Sequence, residues 1–387
     1  MSWRETTLGE LLTVKHGWAF KSEFFEDHGP LVVVTPGNFF EEGGFKLRPG
    51  KDRSYSGKFG REYLLNEGDL IVAMTEQGPG LLGSTAMIPE ANRFLHNQRI
   101  GLVSPKYGQE VCLKFLYNLF NTAAIRGQIS GSASGTKVRH TAPERIYRVK
   151  ARIPNLPTQT RIASVLSAYD DLIENNRRRI GLLEKAARLL YREWFVNFRF
   201  PGFESGKFVG GLPEGWKKIT LGEKAEIRKG RNITKETVSE GAIPVVAGGL
   251  KPAYFHNAAN VKGPVITISA SGANAGHVSM YFQDIWASDC SFISGNENPK
   301  LFFIHQTLLQ NLTSIRAMQK GAAQPHVYPK DLQRLVVVWP AEEVVDQFSK
   351  LTEPQYWQIQ VLTKQNAQLT RARDLILPRL MDGRIPV

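Results

Sequence analysis

The chain has 387 residues, 42% of them hydrophobic, and a formal net charge of +13. That length favours two or more domains over one ordinary core, and the charge suggests a polyanionic partner. No apolar run approaches the roughly 18 to 20 residues of a membrane span and no signal-peptide pattern opens the chain, so a cytoplasmic protein without a membrane partner is expected. Cys112 and Cys290 lack metal-ligand spacing and read as two free thiols.

The chain opens on WRETTLGE (3–10), and the phrase returns in GWKKITLGE (215–223). At an offset of 213, Trp3 matches Trp216, Thr7-Leu8-Gly9-Glu10 matches Thr220-Leu221-Gly222-Glu223, and Val14, Lys15 and Gly17 match Ile227, Arg228 and Gly230. Apolar β-type runs follow at 31–34, 70–74 and 100–103, then a helix is expected over 110–129. GDLIVAMT (68–75) has a counterpart in GPVITISA (263–270) at an offset of 195. From His140 onward the offset settles at 186, pairing His140, Pro143, Arg148 and Pro154 with His326, Pro329, Arg334 and Pro340. The whole chain is thus two copies of one module, which favours a pseudo-twofold internal repeat over a solenoid.

Over 157–197 the apolar residues step by three and four: Ile162, Leu166, Tyr169, Ile173, Asn176, Ile180, Leu183, Ala187, Leu190, Trp194. This is a heptad seam, the pattern of one long helix pairing with another. REWFVNFRF (192–200) then supplies aromatics that suit either a docking patch or packing at a joint. The second module repeats the β-type runs (243–246, 264–268, 334–338) and a helix over 299–319. A second long helix is expected over 341–380, with Phe348, Ile359, Leu362, Leu369, Ile376 and Leu380 on its seam and Pro354 kinking or dividing it. Antiparallel pairing of the two seams brings Asn176 and Asn366 together, either as a buried pair that fixes register or as two independent exposed positions.

The expected fold is α/β (α+β): two β-rich domains separated by two long antiparallel helices that form a coiled coil. The boundaries are 1–152, 153–200, 201–338 and 339–387.

Motifs for chemistry are weak. GPGLLG (78–83) satisfies GxGxxG, yet STAMIPEAN follows it with no helical period; GFESGK (202–207) is one residue short of a phosphate loop. No hydrolase elbow, zincin motif, methyltransferase motif or nuclease-type acidic cluster is present, so no catalytic residue, metal or cofactor is assigned to this chain. His140 and His326 occupy equivalent repeat positions, which fits a shared turn or phosphate contact better than catalysis.

What remains is basic and loop-borne. Net charge is +5 over 1–155 and +6 over 216–340, against +2 and 0 in the two helical segments. The first module offers Lys46, Arg48, Lys51, Arg53, Lys58 and Arg61 in KLRPGKDRSYSGKFGR (46–61), with Gln98, Arg99, Lys137 and Arg139. The second offers Lys229, Arg231, Asn232, Lys251, Tyr254, His256, Asn257, Asn274, Gln319, Lys320 and Gln324. Lys and Arg neutralise phosphates, while Arg, Asn and Gln can bond base edges, so these are the candidate DNA-binding residues. A basic structural adaptor that binds nucleic acid or protein without sequence preference is the competing reading.

The doubled TLGE, ARIPNLPTQTRIASVLSAYDDLIENNRRRIGLLEKAARLLYREWF (151–195), GLPEGW (211–216) and RDLILPRLMDG (373–383) together resemble the specificity subunit of type I restriction-modification systems. The resemblance covers essentially the full length. It implies two target recognition domains, each reading one half of a split double-stranded DNA sequence, and paired spacer helices that dock two methyltransferase subunits and, through them, restriction/translocase subunits. S-adenosylmethionine, ATP and Mg would then belong to the partner subunits. The Pro-x-x-x-Gln opening common to that family's helices is kept neither by LPTQTRIA (156–163) nor by WPAEEVVDQF (339–348). Helix length would set the unread spacer between half-sites.

Overall fold

The computed structural model describes residues 3–78, 80–321 and 324–387. The chain divides into two compact units, residues 1–174 with 366–387 and residues 175–365. Each is built on one plan.

In the first unit, Arg4–Thr7 pairs antiparallel with Lys150–Ile153, joining the start of the module to its end. The second unit repeats this closure with Lys217–Thr220 against Val336–Trp339. The TLGE phrase follows each opening strand. Leu8 and Leu221 are fully buried, and their N–H groups donate to Val149 O and Leu335 O at 2.9 and 2.8 Å. The glycine is required by close approach: a Cβ on Gly9 would lie 2.7 Å from Tyr147 Cβ, and one on Gly222 would lie 3.0 Å from Gln333 Cβ.

A four-stranded sheet runs Leu12–His16, Ile100–Pro105, Leu70–Ala73, Thr85–Met87 in spatial order. Its counterpart runs Arg228–Lys229, Cys290–Ser294, Val265–Ser269, Val278–Tyr281. The strand Leu70–Ala73 is apolar throughout because both faces are covered. Leu70 and Val72 join Phe115 and Phe120 on the helical side, whereas Ile71 and Ala73 join Val32, Phe39 and Phe94 under the smaller sheet. That smaller sheet ends in the parallel pair Val32–Val33 and Phe94–Leu95, matched in the second unit by Ile243–Val246 and Trp286–Ala287. A strand, Thr85–Met87, follows the GPGLLG stretch.

The helices expected over 110–129 and 299–319 are each broken in two. Leu113–Phe120 stops before Ala123–Gly131, where the Asn121 amide donates to Thr85 Oγ1 and Tyr117 O and the Thr122 hydroxyl caps Ile125 N–H. Leu301–Gln310 stops before Leu312–Ala317, with the Asn311 amide on Thr307 O. Side-chain amides that satisfy nearby backbone groups compete with continued helix at both places.

The long helices are Leu156–Tyr191, extended by a π-turn over Arg192–Val196, and Glu342–Met381. Contrary to expectation, Pro354 does not divide the second. Lys350, whose carbonyl loses its helical donor, is exposed, so water can satisfy it. In the first unit Ile162, Ala163 and Leu166 share a core with Ile376, Leu377, Leu380 and Met381, so the start of one helix meets the end of the other. Arg373 Nη1 reaches Asp170 Oδ1 at 2.7 Å, and the Asn366 amide donates to Ile173 O at 3.3 Å. In the second unit Tyr191, Trp194 and Phe195 pack with Val345 and Phe348. Both units therefore pair the helices antiparallel. Of the expected seam, Ile162, Leu166, Ile173, Asn176, Ile359 and Leu362 are buried and Ile180, Leu183, Asn366 and Leu369 half-buried. The aromatic run 192–200 packs: Trp194 and Phe195 are buried, and Phe198 and Phe200 lie against Trp216.

Each unit holds an imidazole that burial keeps from protonating, His96 in the first and His305 in the second. His96 Nε2 lies 2.8 Å from Ile100 O, and His305 Nδ1 lies 2.7 Å from the Tyr356 hydroxyl. Burial pushes both down to about 4. The folded units keep these rings neutral while the unfolded chain protonates them below the ordinary value of 6.5. Stability is therefore expected to be unaffected at neutral pH and to fall as pH drops from about 6.5 toward 4, by up to about 3 kcal/mol per ring. Urea titrations at pH 7.5 and 5.0 check this, and His305→Asn should flatten the dependence of the second unit. Gly9→Ala is expected to cost about 1 to 3 kcal/mol through overpacking and Gly222→Ala less, read as shifts in denaturation midpoint.

Candidate nucleic-acid interface

Most of the candidate residues lie in the loops between strands. In the first unit Thr75–Glu76 pairs with Arg139–His140. Ser134 and His140 exchange both backbone hydrogen bonds, at 3.0 and 2.8 Å, closing the turn 134–140. The second unit closes 320–326 in the same way, Lys320 and His326 exchanging bonds at 2.9 and 2.8 Å, with His326 bridged to Ser271 as His140 is to Thr75. Gly135 and Gly321 take the same left-handed φ, +96° and +95°, at the entry to each turn. The equivalent histidines thus sit on a shared turn.

Beside the first turn lies a cleft of about 820 Å³, into which Lys46, Arg48, Lys51 and Arg99 are brought together with Thr75, Gln77 and His140. The loop that delivers the first three is fixed by Asp52, whose carboxylate accepts from Arg48 N–H (2.8 Å), Arg48 Nε (3.2 Å) and the Asn38 amide (2.7 Å). Arg139 is half-buried with Nη1 3.2 Å from Glu76 Oε1. Glu76, only 2% exposed, also gathers the Leu81 and Leu82 N–H groups at 2.9 and 2.8 Å on its other oxygen. A buried carboxylate is costly unless paired and hydrogen-bonded, and here it has both a cation and two backbone donors. Arg126 backs the same loops, donating to Glu41 O and Gly80 O; burial lowers its basicity, against the pull of Glu76, Glu41 and Glu42.

Arg53, Lys58, Arg61, Gln98 and Lys137 are exposed but do not line the cleft, and Arg53 pairs with Asp27 at 3.4 Å. Sequence reasoning passed over Thr75, Glu76 and Gln77 as parts of this wall, whereas His140 was expected on a shared turn or phosphate contact. The available signal was GDLIVAMTE itself, a fully buried apolar strand that ends on a carboxylate.

In the second unit Lys229 lies on the edge strand Arg228–Lys229, with Arg231 and Asn232 exposed just beyond. Arg231 O accepts the Trp286 indole N–H at 2.8 Å, which anchors that loop. Lys251, Tyr254 and Asn257 are exposed in and around Tyr254–His256. Asn274 is half-buried in the turn Gly272–Asn274, Gln319 donates to Ala275 O at 2.8 Å, and Gln324 is exposed in the closed turn. Lys320 pairs with Asp331 at 2.8 Å.

His256 requires correction: it is buried, not a surface contact. Its Nδ1 accepts Ser239 N–H at 3.0 Å and its ring meets Trp286 edge-on at 5.1 Å. The strand register against Ile243 turns this side chain inward, so it serves the fold.

A family model described as "Type I restriction modification DNA specificity domain" matches residues 1–185 and 213–371, one match on each module. The chain is 26% identical over 324 residues to the type I restriction enzyme MjaIX specificity subunit of Methanocaldococcus jannaschii, covering 76% of this chain and 74% of that protein. Its fold is similar to that of the type I restriction-modification system S subunit from M. genitalium, with a TM-score of 0.62 at 18% identity over 98% of this chain and 96% of that one. With both modules matched over most of its length, the chain belongs to the type I restriction-modification DNA specificity family.

Proposed function

We propose that this chain is the DNA sequence-specificity subunit of a type I restriction-modification complex. Each module reads one half of a bipartite double-stranded target. The observation that carries this reading is the duplication: two equivalent scaffolds close the same turn, yet present different polar and basic side chains on it. Two unlike half-sites require such an arrangement, whereas a sequence-independent basic surface does not. Lys and Arg on the loops supply the phosphate-neutralising charge common to all sequences, and arginine and amide groups supply discrimination.

Two methyltransferase subunits, and nuclease-translocase subunits through them, are the proposed partners. Those partners bind S-adenosylmethionine, ATP and Mg and perform the chemistry; this chain positions them on DNA. The two long helices, of 36 and 40 residues, supply roughly 54 and 60 Å of helix at 1.5 Å per residue. That exceeds one DNA turn of about 34 Å and suits two major-groove faces with an unread gap between them.

The test is selection of bound duplexes from a randomised library by the chain with its methyltransferase partner at physiological salt. A split motif with a fixed gap is expected, and exchanging modules between two such subunits should exchange one half-site. Enrichment no better than bulk DNA, with binding that only tracks salt, would sink the reading. Removing seven residues from each long helix should shorten the gap by about three base pairs, since about 10 Å of helix is lost. An unaltered gap would show that helix length does not set it.

A further inference from the structure

The arginines in and beside the first cleft fall into two chemical sets. Arg48 and Arg139 are held by carboxylates, Asp52 and Glu76, each at 3.2 Å. Arg99 has no hydrogen-bonding or ionic side-chain partner among the described residues, and it is exposed. Its backbone, by contrast, is fixed: its N–H donates to Asn97 Oδ1 at 3.0 Å and its carbonyl accepts Met74 N–H at 3.1 Å.

The same backbone slot exists in the second module. Leu102 pairs with Lys15, and Phe292 pairs with Arg228, the repeat counterpart of Lys15. Counting back three residues in each strand places Asp289 where Arg99 stands. The hydrogen bonds agree, since Asp289 O accepts Ala270 N–H at 3.2 Å as Arg99 O accepts Met74 N–H. The residue following each donor, Thr75 or Ser271, is the one bridged to the equivalent histidine. Asp289 is half-buried, and its carboxylate accepts the Ser271 hydroxyl. One scaffold position thus carries a guanidinium in one module and a carboxylate in the other.

We propose that this slot is the specificity-determining position of each module: Arg99 reads a base edge in the first half-site and Asp289 reads one in the second. The proposal rests on the specificity-subunit reading. A phosphate presents only acceptors and would favour cations in both slots, so a carboxylate in one of them points to base edges, which display donors and acceptors together. Arg99 suits guanine O6 and N7, and Asp289 suits the cytosine N4 amine. Around Arg99 the wall is itself mixed, with the Gln77 amide, the Thr75 hydroxyl and the His140 imidazole. Arg48 and Arg139, already engaged, are positioning residues that hold the walls, and Lys46 and Lys51 suit phosphates.

The test compares wild type, Arg99→Gln and Asp289→Asn, each with the methyltransferase partner, by selection from the randomised duplex library and by binding of the selected target across a salt series. Arg99 is exposed and Asp289→Asn preserves shape, so both variants should fold, which thermal melting verifies. Arg99→Gln should reduce discrimination at one position of the first module's half-site by about ten- to a hundredfold while the other half-site and the salt slope stay unchanged. Asp289→Asn should do the same in the second module's half-site only. Uniform weakening across sequences with a salt slope reduced by about one would make Arg99 a phosphate contact and overturn the proposal. So would a wild-type motif that both variants retain, an outcome that leaves the specificity-subunit reading standing. A wild type that selects no split motif would overturn that reading and this inference together.

Discussion

Each module depends on a strand pairing between residues far apart in sequence, Arg4–Thr7 with Lys150–Ile153 and Lys217–Thr220 with Val336–Trp339. The closing strand leads directly into a long helix, so the pairing fixes the root from which that helix leaves. Everything between the two strands can vary in length without moving the root. That is why the repeat offset is 213 at the opening and 186 from the closure onward, and why at the central strand, where sequence alone gives 195, the strand register matches Ile71 with Thr267 at 196. Loop insertions are tolerated because each closed loop adds little entropy cost once its ends are pinned. A module built this way can change what its loops present while keeping what its helix is joined to.

Electrostatics follows the same division. The carboxylates in and behind the first cleft do not diminish its basic character so much as order it: Asp52 and Glu76 gather backbone N–H groups as well as guanidinium groups, so the loops are set before any ligand arrives. Preset loops lose less conformational freedom on binding. In the second module a carboxylate, that of Asp289 accepting the Ser271 hydroxyl, occupies the slot that holds the Arg99 guanidinium in the first. The two sites are one scaffold carrying opposite charge at a matched position.

Much of the architecture was legible because it rests on periodicity. The seam from Ile162 to Leu183 recurs every three or four residues, and burial follows it. The strand runs at 70–73 and 265–269 stand out because both faces of each are covered. What was illegible depended on single side chains choosing partners across the fold. Asn121 ends a helix because Thr85 lies within reach, and nothing in the local sequence announces Thr85. His256 is polar in a polar neighbourhood, yet strand register turns it toward Ser239. Glu76 was missed because a search for DNA-binding residues looks for cations, whereas cations are placed by the groups that hold them. Pro354 was read by its intrinsic cost, but tertiary packing of Tyr356, Ile359 and Leu362 outweighs one missing helical bond on an exposed face.

The helices also decide what counts as a unit. Each begins in one compact unit and ends in the other, so the first unit is assembled from two separate stretches of chain while the second is one. The first needs Leu380 and Met381 from the far end of the sequence to complete the core around Ile162 and Leu166, and the Asp170 carboxylate needs Arg373. Half-buried ion pairs of this kind contribute little by themselves but are costly to break from one side. The first unit is therefore completed only by residues more than 190 positions further along the chain, 366–387. The pairing of helices inside each unit is thus part of what folds it.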